Sequence, residues 1–277
     1  MNPFRQSIVP LTRLSAMGRG IYLVLLVASF SALQAFAADS SLAANQGAAG
    51  TIVNFKAVLG QPVKRVNFNQ ESASQDARQV ADWVVDSGDN QGMPFVIVDK
   101  KEAKVFVFHA DGLLRGAAPA LLGLALGDDS VPGIGNRKLS TIRPDERTTP
   151  AGRFVAALDR NLSGKEILWV DYDGAISLHP VVTTNLKEQR AQRLATPTPL
   201  DNRISYGCIN VPAEFYQGVV SLAFKGTNGI VYVLPETRTS QQVFASYDVD
   251  ERERSILAGQ LPPAQLASQF APGLAGR

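Results

Sequence analysis

The chain has 277 residues, 45% of them hydrophobic and 19% charged, a balance that supplies a folded core and excludes a wholly disordered protein. Its 27 basic and 25 acidic residues nearly cancel without forming a basic block, so no nucleic-acid partner is expected. One cysteine and two distant histidines give no recognisable metal-ligand spacing, and no glycine-rich phosphate or dinucleotide loop is present, so neither metal nor cofactor is expected.

Residues 1–37 combine Arg5, Arg13 and Arg19 with an apolar run from Ile21 to Phe36 and a small-x-small pattern at Ala35-Phe36-Ala37. This is the pattern of a signal peptide cleaved after Ala37, which predicts a periplasmic or otherwise exported protein. Residues 38–92 follow as a linker and short helical region. Its first part, to residue 60, is rich in Ala, Ser and Gly. Val80, Trp83 and Val84 then recur at helical spacing, with Ser72 and Gln75 as a capping box, and predict a helix over 74–86 that packs on the following domain. The polar stretch 87–92 breaks it and marks a boundary.

Residues 93–236 read as the catalytic domain. Strands are expected at 95–98, 104–108, 113–114, 153–158, 167–170 and 175–178, with turns at 99–103, Asp111-Gly112 and Asp173-Gly174. Strands at such short intervals predict a mainly β fold, a sandwich or barrel with a few helices, rather than alternating β-α units. The Gly- and Pro-rich residues 127–150 are expected as a long surface loop bordering a site. Residues 185–194 are polar and helix-compatible and, with the prolines that follow, suggest a flap. Phe215, Val219, Leu222 and Ala223 form an apolar helical stripe ending at Gly226, and residues 230–234 are a closing strand at which the core ends. Residues 237–277 are a tail whose charge run, 248–254, is expected as a solvated helix or extension.

Ser205-Tyr206-Gly207-Cys208-Ile209-Asn210 holds the lone thiol. A cysteine without an intrachain partner in an exported chain is an interchain bridge, a reactive group or an apolar filler. Gly207 permits a sharp turn before the sulfur, and a helix start at residues 210–214 would turn backbone N–H groups and a positive dipole end toward a thiolate. A nucleophilic thiol needs a base. His179 and His109 each end a strand, and the residues by themselves do not choose between them. Arg203, five positions before the cysteine, is either a surface arginine or a grip for a substrate carboxylate.

Ile176-Ser177-Leu178-His179 followed by Ser205-Tyr206-Gly207-Cys208-Ile209-Asn210 resembles the bipartite signature of the L,D-transpeptidase (YkuD) family, a histidine and then Ser/Thr-His-Gly-Cys-x-Asn or Arg. The hairpin at 95–108, Thr149-Pro150-Ala151-Gly152-Arg153-Phe154 and the helix and strand at 212–234 resemble further segments, so the likeness covers about residues 94–235. Two features depart from the pattern: Tyr206 stands where the family has histidine, and 29 positions separate His179 from Cys208.

The resemblance implies a YkuD-like β-sandwich in which Cys208 attacks a peptidoglycan stem peptide at the bond to its terminal D-alanine, with His179 as proton acceptor. It makes the N–H groups of Tyr206, Gly207 and Cys208 candidate oxyanion donors, with Ser205 in the same turn, and gives Asn210 an orienting role. The acyl acceptor would be the amine of a second stem, of a lipoprotein or of a free D-amino acid, and carbapenem-type β-lactams would be covalent inhibitors. Water as acceptor would make the protein a carboxypeptidase or hydrolase. A non-catalytic cell-wall binding module is the reading from another class.

Overall fold

Phe95–Asp99 (β1) and Lys104–Phe108 (β2) alternate aromatic and β-branched side chains, which suits strands buried on both faces. They pair antiparallel around the expected turn. The computed structural model describes residues 62–260. The predicted signal peptide, the linker to residue 60 and the end of the tail lie outside the described residues.

The remaining strands are β3 (Leu114–Pro119), β4 (Leu122–Gly123), β5 (Gly152–Arg160), β6 (Glu166–Asp171), β7 (Ile176–Pro180), β8 (Arg203–Ser205), β9 (Ile209–Val211) and β10 (Gly229–Val233). Eight of them form a sheet in the order β3-β2-β1-β10-β5-β6-β7-β9, and β4 pairs with β8 separately. The fold is therefore mainly β, as the strand spacing predicts.

β5 joins the two halves of the large sheet. Its first residues, Gly152 to Ala156, pair with β10, whereas Ala157 to Arg160 pair with β6. Val96, Val98, Val105 and Val231 from one half and Leu168, Leu178 and Ile209 from the other share one buried cluster, so the halves close over each other as a sandwich. Pleating sends the alternate residues Phe95, Ile97, Phe106 and Tyr232 to the outer face of the first half. There they are covered by α1 (Gln75–Ser87), whose Val80, Trp83 and Val84 are buried as the helical spacing predicts.

Several boundaries differ from expectation for identifiable reasons. α1 is capped by Ser74, whose hydroxyl accepts from Ala77 N–H, and not by Ser72. Of the apolar stripe at 215–223, Phe215, Val219 and Ala223 face the inner cluster and only Leu222 does not. The helical segment α3, residues 213–224, contains a π-turn over Tyr216–Val220. The wider turn brings Val220 and Phe224 into the core and leaves Leu222 52% exposed.

The core does not end at residue 234, because Phe244 and Val249 join the outer cluster. Phe244 closes α4 (Ser240–Phe244), and Val249 opens α5 (Val249–Gln260). The charge run on α5 is docked: Arg252 Nη1 meets Asp86 at 2.9 Å, with both side chains nearly buried, and Asp250 and Glu253 pair with Arg65. Tyr247 donates to the same carboxylate. Among the described residues no helix is long and apolar enough to cross a membrane.

Candidate active site

Adjacent strands bring His179 and Cys208 together. β7 and β9 run parallel with Leu178 opposite Ile209 and His179 opposite Asn210, so the histidine lies beside the strand that the cysteine opens. Of the two histidines left open by the sequence, the geometry selects His179, which the β7–β9 pairing sets beside Cys208 and which holds its thiol down. His109 is exposed in the turn after β2.

The ring of His179 is held by its neighbour. Nδ1 lies 2.8 Å from the carbonyl oxygen of Pro180, which can only accept, so Nδ1 carries the proton and Nε2 keeps its lone pair for the thiol. Cys208 Sγ also lies 3.6 Å from Ser177 Oγ, whose hydroxyl donates to it, and 3.6 Å from Ala175 O. Burial by itself pushes the Cys208 thiol up. The hydrogen bond and charge of His179, with the hydroxyl and backbone of fully buried Ser177, outweigh it and hold the thiol below its ordinary value.

Gly207 shapes the turn. Its φ of +129° disfavours a side chain, and a Cβ there would fall 2.7 Å from Ile176 Cδ1 and 2.8 Å from Thr148 O. Ser205 Oγ closes the turn by donating to Cys208 O at 2.6 Å and accepting from Gly207 N–H at 3.0 Å. Gly207 N–H is therefore engaged inside the turn, which narrows the three proposed oxyanion donors to those of Tyr206 and Cys208.

Asn210, 1% exposed, turns Nδ2 toward Cys208 O at 3.1 Å and His179 Nε2 at 3.5 Å. Its Oδ1 accepts from Arg190 Nη1 at 2.7 Å. Arg190 opens α2 (Arg190–Ala195) in the expected flap, so the long insertion between histidine and cysteine delivers a side chain to the site.

Three expectations change. The residues after Cys208 form β9, and helical winding begins only at Ala213, so no helix dipole points at the thiol. Arg203 is not a surface arginine: it pairs with Glu236, and its side chain is 14% exposed. Residues 127–150 are not simply a surface loop. Three 3-10 turns wind through them, and Ser130, Ile134, Leu139, Ile142 and Thr148 roof the cavity, about 40 Å³, into which Tyr206 and Cys208 project.

Four contributors had little signal in the sequence. Ser177 lies two residues before His179 on one strand face, a spacing that could have found it. Thr149 donates to Gly207 O at 2.7 Å and accepts from Gly123 N–H at 2.9 Å. The stretch Thr149-Pro150-Ala151-Gly152 was visible, but its contact was not. Arg147, stacked on Tyr206 with its guanidinium carbon 3.9 Å from the ring centroid, and Arg190 had no local signal. Among the described residues no group of three or more His, Cys, Asp or Glu is placed to hold a metal ion.

No family model matches the chain, and no curated protein does. Among solved structures it is similar to the catalytic domain of an L,D-transpeptidase from E. faecium, with 17% identity over 50% of this chain and 95% of that one and a TM-score of 0.28. An L,D-transpeptidase in complex with imipenem gives 16% identity, 51% and 58% coverage, and a TM-score of 0.30. The helical cell shape determining protein Pgp2 from Campylobacter jejuni gives 14%, 64% and 56%, and 0.35. The chain thus spans little more than half the length of the second and third of these proteins, and it is similar to L,D-transpeptidase catalytic domains over about half of its own.

Proposed function

We propose that the protein is an exported cysteine acyltransferase acting on peptidoglycan stem peptides, with Cys208 as nucleophile and His179 as base. The observation that carries this reading is the Cys208–His179–Pro180 arrangement: paired strands set the thiol beside an imidazole whose Nδ1 is fixed on a carbonyl, and the thiol is held below its ordinary value. The signature around these residues supplies the substrate class.

In this reaction Nε2 of His179 takes the thiol proton as Sγ attacks the carbonyl carbon of the residue before the terminal D-alanine. The oxyanion forms beside the N–H groups of Tyr206 and Cys208. Collapse breaks the peptide bond, and D-alanine leaves as an amine that regains the proton from His179. An amine of a second stem, a lipoprotein or a D-amino acid then attacks the thioester, loses its proton to His179 and frees the sulfur. Hydrolysis by water is the competing outcome at the same thioester. No step calls for a cofactor. Carbapenem-type β-lactams would acylate the same sulfur.

The test is mass spectrometry of the wild type and Cys208→Ala with a tetrapeptide stem, with and without an amine acceptor. Loss of D-alanine with a cross-linked product, absent from the variant, is expected. D-alanine loss unaffected by the acceptor would make the protein a carboxypeptidase. Unchanged substrate from folded protein, together with no mass shift by a carbapenem, would refute the enzyme and favour a cell-wall binding module.

A further inference from the structure

Tyr206 occupies the position before Gly207-Cys208, and its most distinctive contact is with a cation. Arg147 lies flat over the ring, its guanidinium carbon 3.9 Å from the centroid, close for a cation–π pair. The guanidinium also donates to the carbonyl of Ile142 through Nη2 at 3.1 Å and Nε at 3.4 Å. These contacts fix its plane and leave its charge uncancelled. Among the described residues no carboxylate pairs with Arg147, although it follows Glu146 directly. Glu146 is committed to Arg137 and Arg143 instead.

The neighbours of Arg147 place it at the edge of the reactive cavity. Thr148, next in sequence, and Tyr206 beneath the guanidinium both line the cavity that holds Cys208. The other arginines near this turn each have a carboxylate: Arg137, which lines the cavity, has Glu146, Arg190 has Glu188, and Arg203 has Glu236. Arg147 is thus a pre-oriented, half-buried cation with no anion, beside a thiol that acts next to a chain end.

We propose that Arg147, held on the Tyr206 ring, binds the terminal carboxylate of the acyl donor and so selects a stem whose scissile bond precedes a C-terminal residue. The inference rests on the acyl-transfer reading above for its substrate. It also gives Tyr206 a task that its phenol cannot perform as a base: its face supports the guanidinium, which a planar fork fits and an ammonium fits less well.

The test measures binding to the full chain carrying Cys208→Ala, so that nothing turns over. Two probes are titrated, a tetrapeptide stem with a free C-terminal carboxylate and the same peptide as its C-terminal carboxamide. The acid is expected to bind about ten- to a hundredfold more tightly than the amide, the range of a charge-assisted hydrogen-bonded pair. Adding Arg147→Gln should remove that preference and leave amide binding unchanged, whereas a purely structural arginine would weaken both probes alike. Arg147→Lys keeps the charge without the planar fork, and its preference should fall several-fold. It serves as the deciding variant should the glutamine form not fold. An acid preference that survives Arg147→Gln or is untouched in Arg147→Lys, no preference in the parent, or binding of neither probe would overturn the proposal. Release of D-alanine by the unmutated chain is scored separately. Release without an arginine effect removes only this carboxylate site, and an arginine-dependent preference without release removes only the acyl-transfer reading.

Discussion

Asp128→Asn should be among the most damaging single-atom changes in this protein outside the reactive turn. The Asp128 and Lys100 side chains are both fully buried, with Nζ 3.0 Å from Oδ1. Every other partner of the carboxylate is also a donor. Glu236 N–H reaches Oδ1 at 2.6 Å, and the N–H groups of Thr237 and Arg238 and the Thr237 hydroxyl reach Oδ2 at 2.9, 2.8 and 2.6 Å. An amide NH₂ in either orientation faces donors, and Lys100 is left with only the more distant Glu236 carboxylate, 3.6 Å from Nζ. Breaking a buried pair from one side costs about 3–5 kcal/mol, because the remaining charge stays desolvated. At about 2–4 °C per kcal/mol for a domain of this size, the melting temperature should fall by roughly 6–20 °C.

Thermal and urea unfolding read this directly, and pH gives an independent check. Burial pushes the Asp128 carboxyl up, but the Thr237 hydroxyl, the N–H groups of Glu236 and Thr237 and the Lys100 ammonium outweigh it and hold it well below the usual carboxylate range. A folded value below the unfolded one, about 3.9, makes its contribution complete above that pH and lost as pH falls toward the folded value. The wild type should therefore lose stability below about pH 4 that the asparagine variant has already lost. A cost under about 1 kcal/mol, or parallel acid profiles for the two proteins, would refute the account of this network.

The other predictions concern the turn and the docked tail. Gly207→Ala meets both a positive φ and contacts under 3 Å, and should cost about 1–3 kcal/mol from backbone strain alone with loss of carbapenem labelling. Thr149→Val keeps the shape but leaves Gly123 N–H and Gly207 O without their partner; urea unfolding should show a loss of about 2 kcal/mol or more. The pH profile of Cys208 alkylation should have its midpoint below that of an ordinary thiol, about 8.5, and His179→Ala should move it upward, because the histidine is what offsets burial. Arg252→Ala, in a run that looks like a solvated tail, should cost about 2–3 kcal/mol by stripping the nearly buried Asp86 of its guanidinium, a shift measurable by calorimetry.

The strands were legible because pleating writes itself into sequence: Phe95-Val96-Ile97-Val98 must feed two different cores, and only apolar residues serve both faces. His179 and Cys208 were legible as residue types with adjoining motifs. What escaped is what depends on a second segment. β5 changes partner between Ala156 and Ala157 without any change in its own periodicity. Lys100 and Asp128 look like surface charges in polar turns until the fold buries them together. The stripe from Phe215 to Ala223 was read at 3.6 residues per turn, and one π-turn sufficed to carry Leu222 out of it. Arg147 and Arg190 reach the site from 61 and 18 positions before Cys208, where local spacing is silent.

How the turn presents its two remaining donors follows from the planarity of the peptide bond. An N–H and the preceding carbonyl share one rigid plane and point in opposite directions, so fixing the carbonyl aims the N–H. Ser205 O accepts from Leu124 N–H at 3.0 Å, which aims the N–H of Tyr206. Gly207 O accepts from Thr149 Oγ1 at 2.7 Å, which aims that of Cys208. Gly207 N–H, the one between them, is turned inward onto Ser205 Oγ. In the proposed reaction the two donors would thereby be set, before any substrate arrives, by Leu124 just after β4 and Thr149 in the loop before β5, which would leave little reorganisation for the transition state. Thr149 also receives Lys100 Nζ on its backbone carbonyl at 3.0 Å, so the buried Lys100–Asp128 pair and the aim of the Cys208 N–H are mechanically one unit. Loss of stability in Asp128→Asn should accordingly be accompanied by slower acylation of Cys208 even where the variant remains folded, whereas Arg252→Ala, on the opposite face of the first half-sheet, should lose stability and keep the acylation rate.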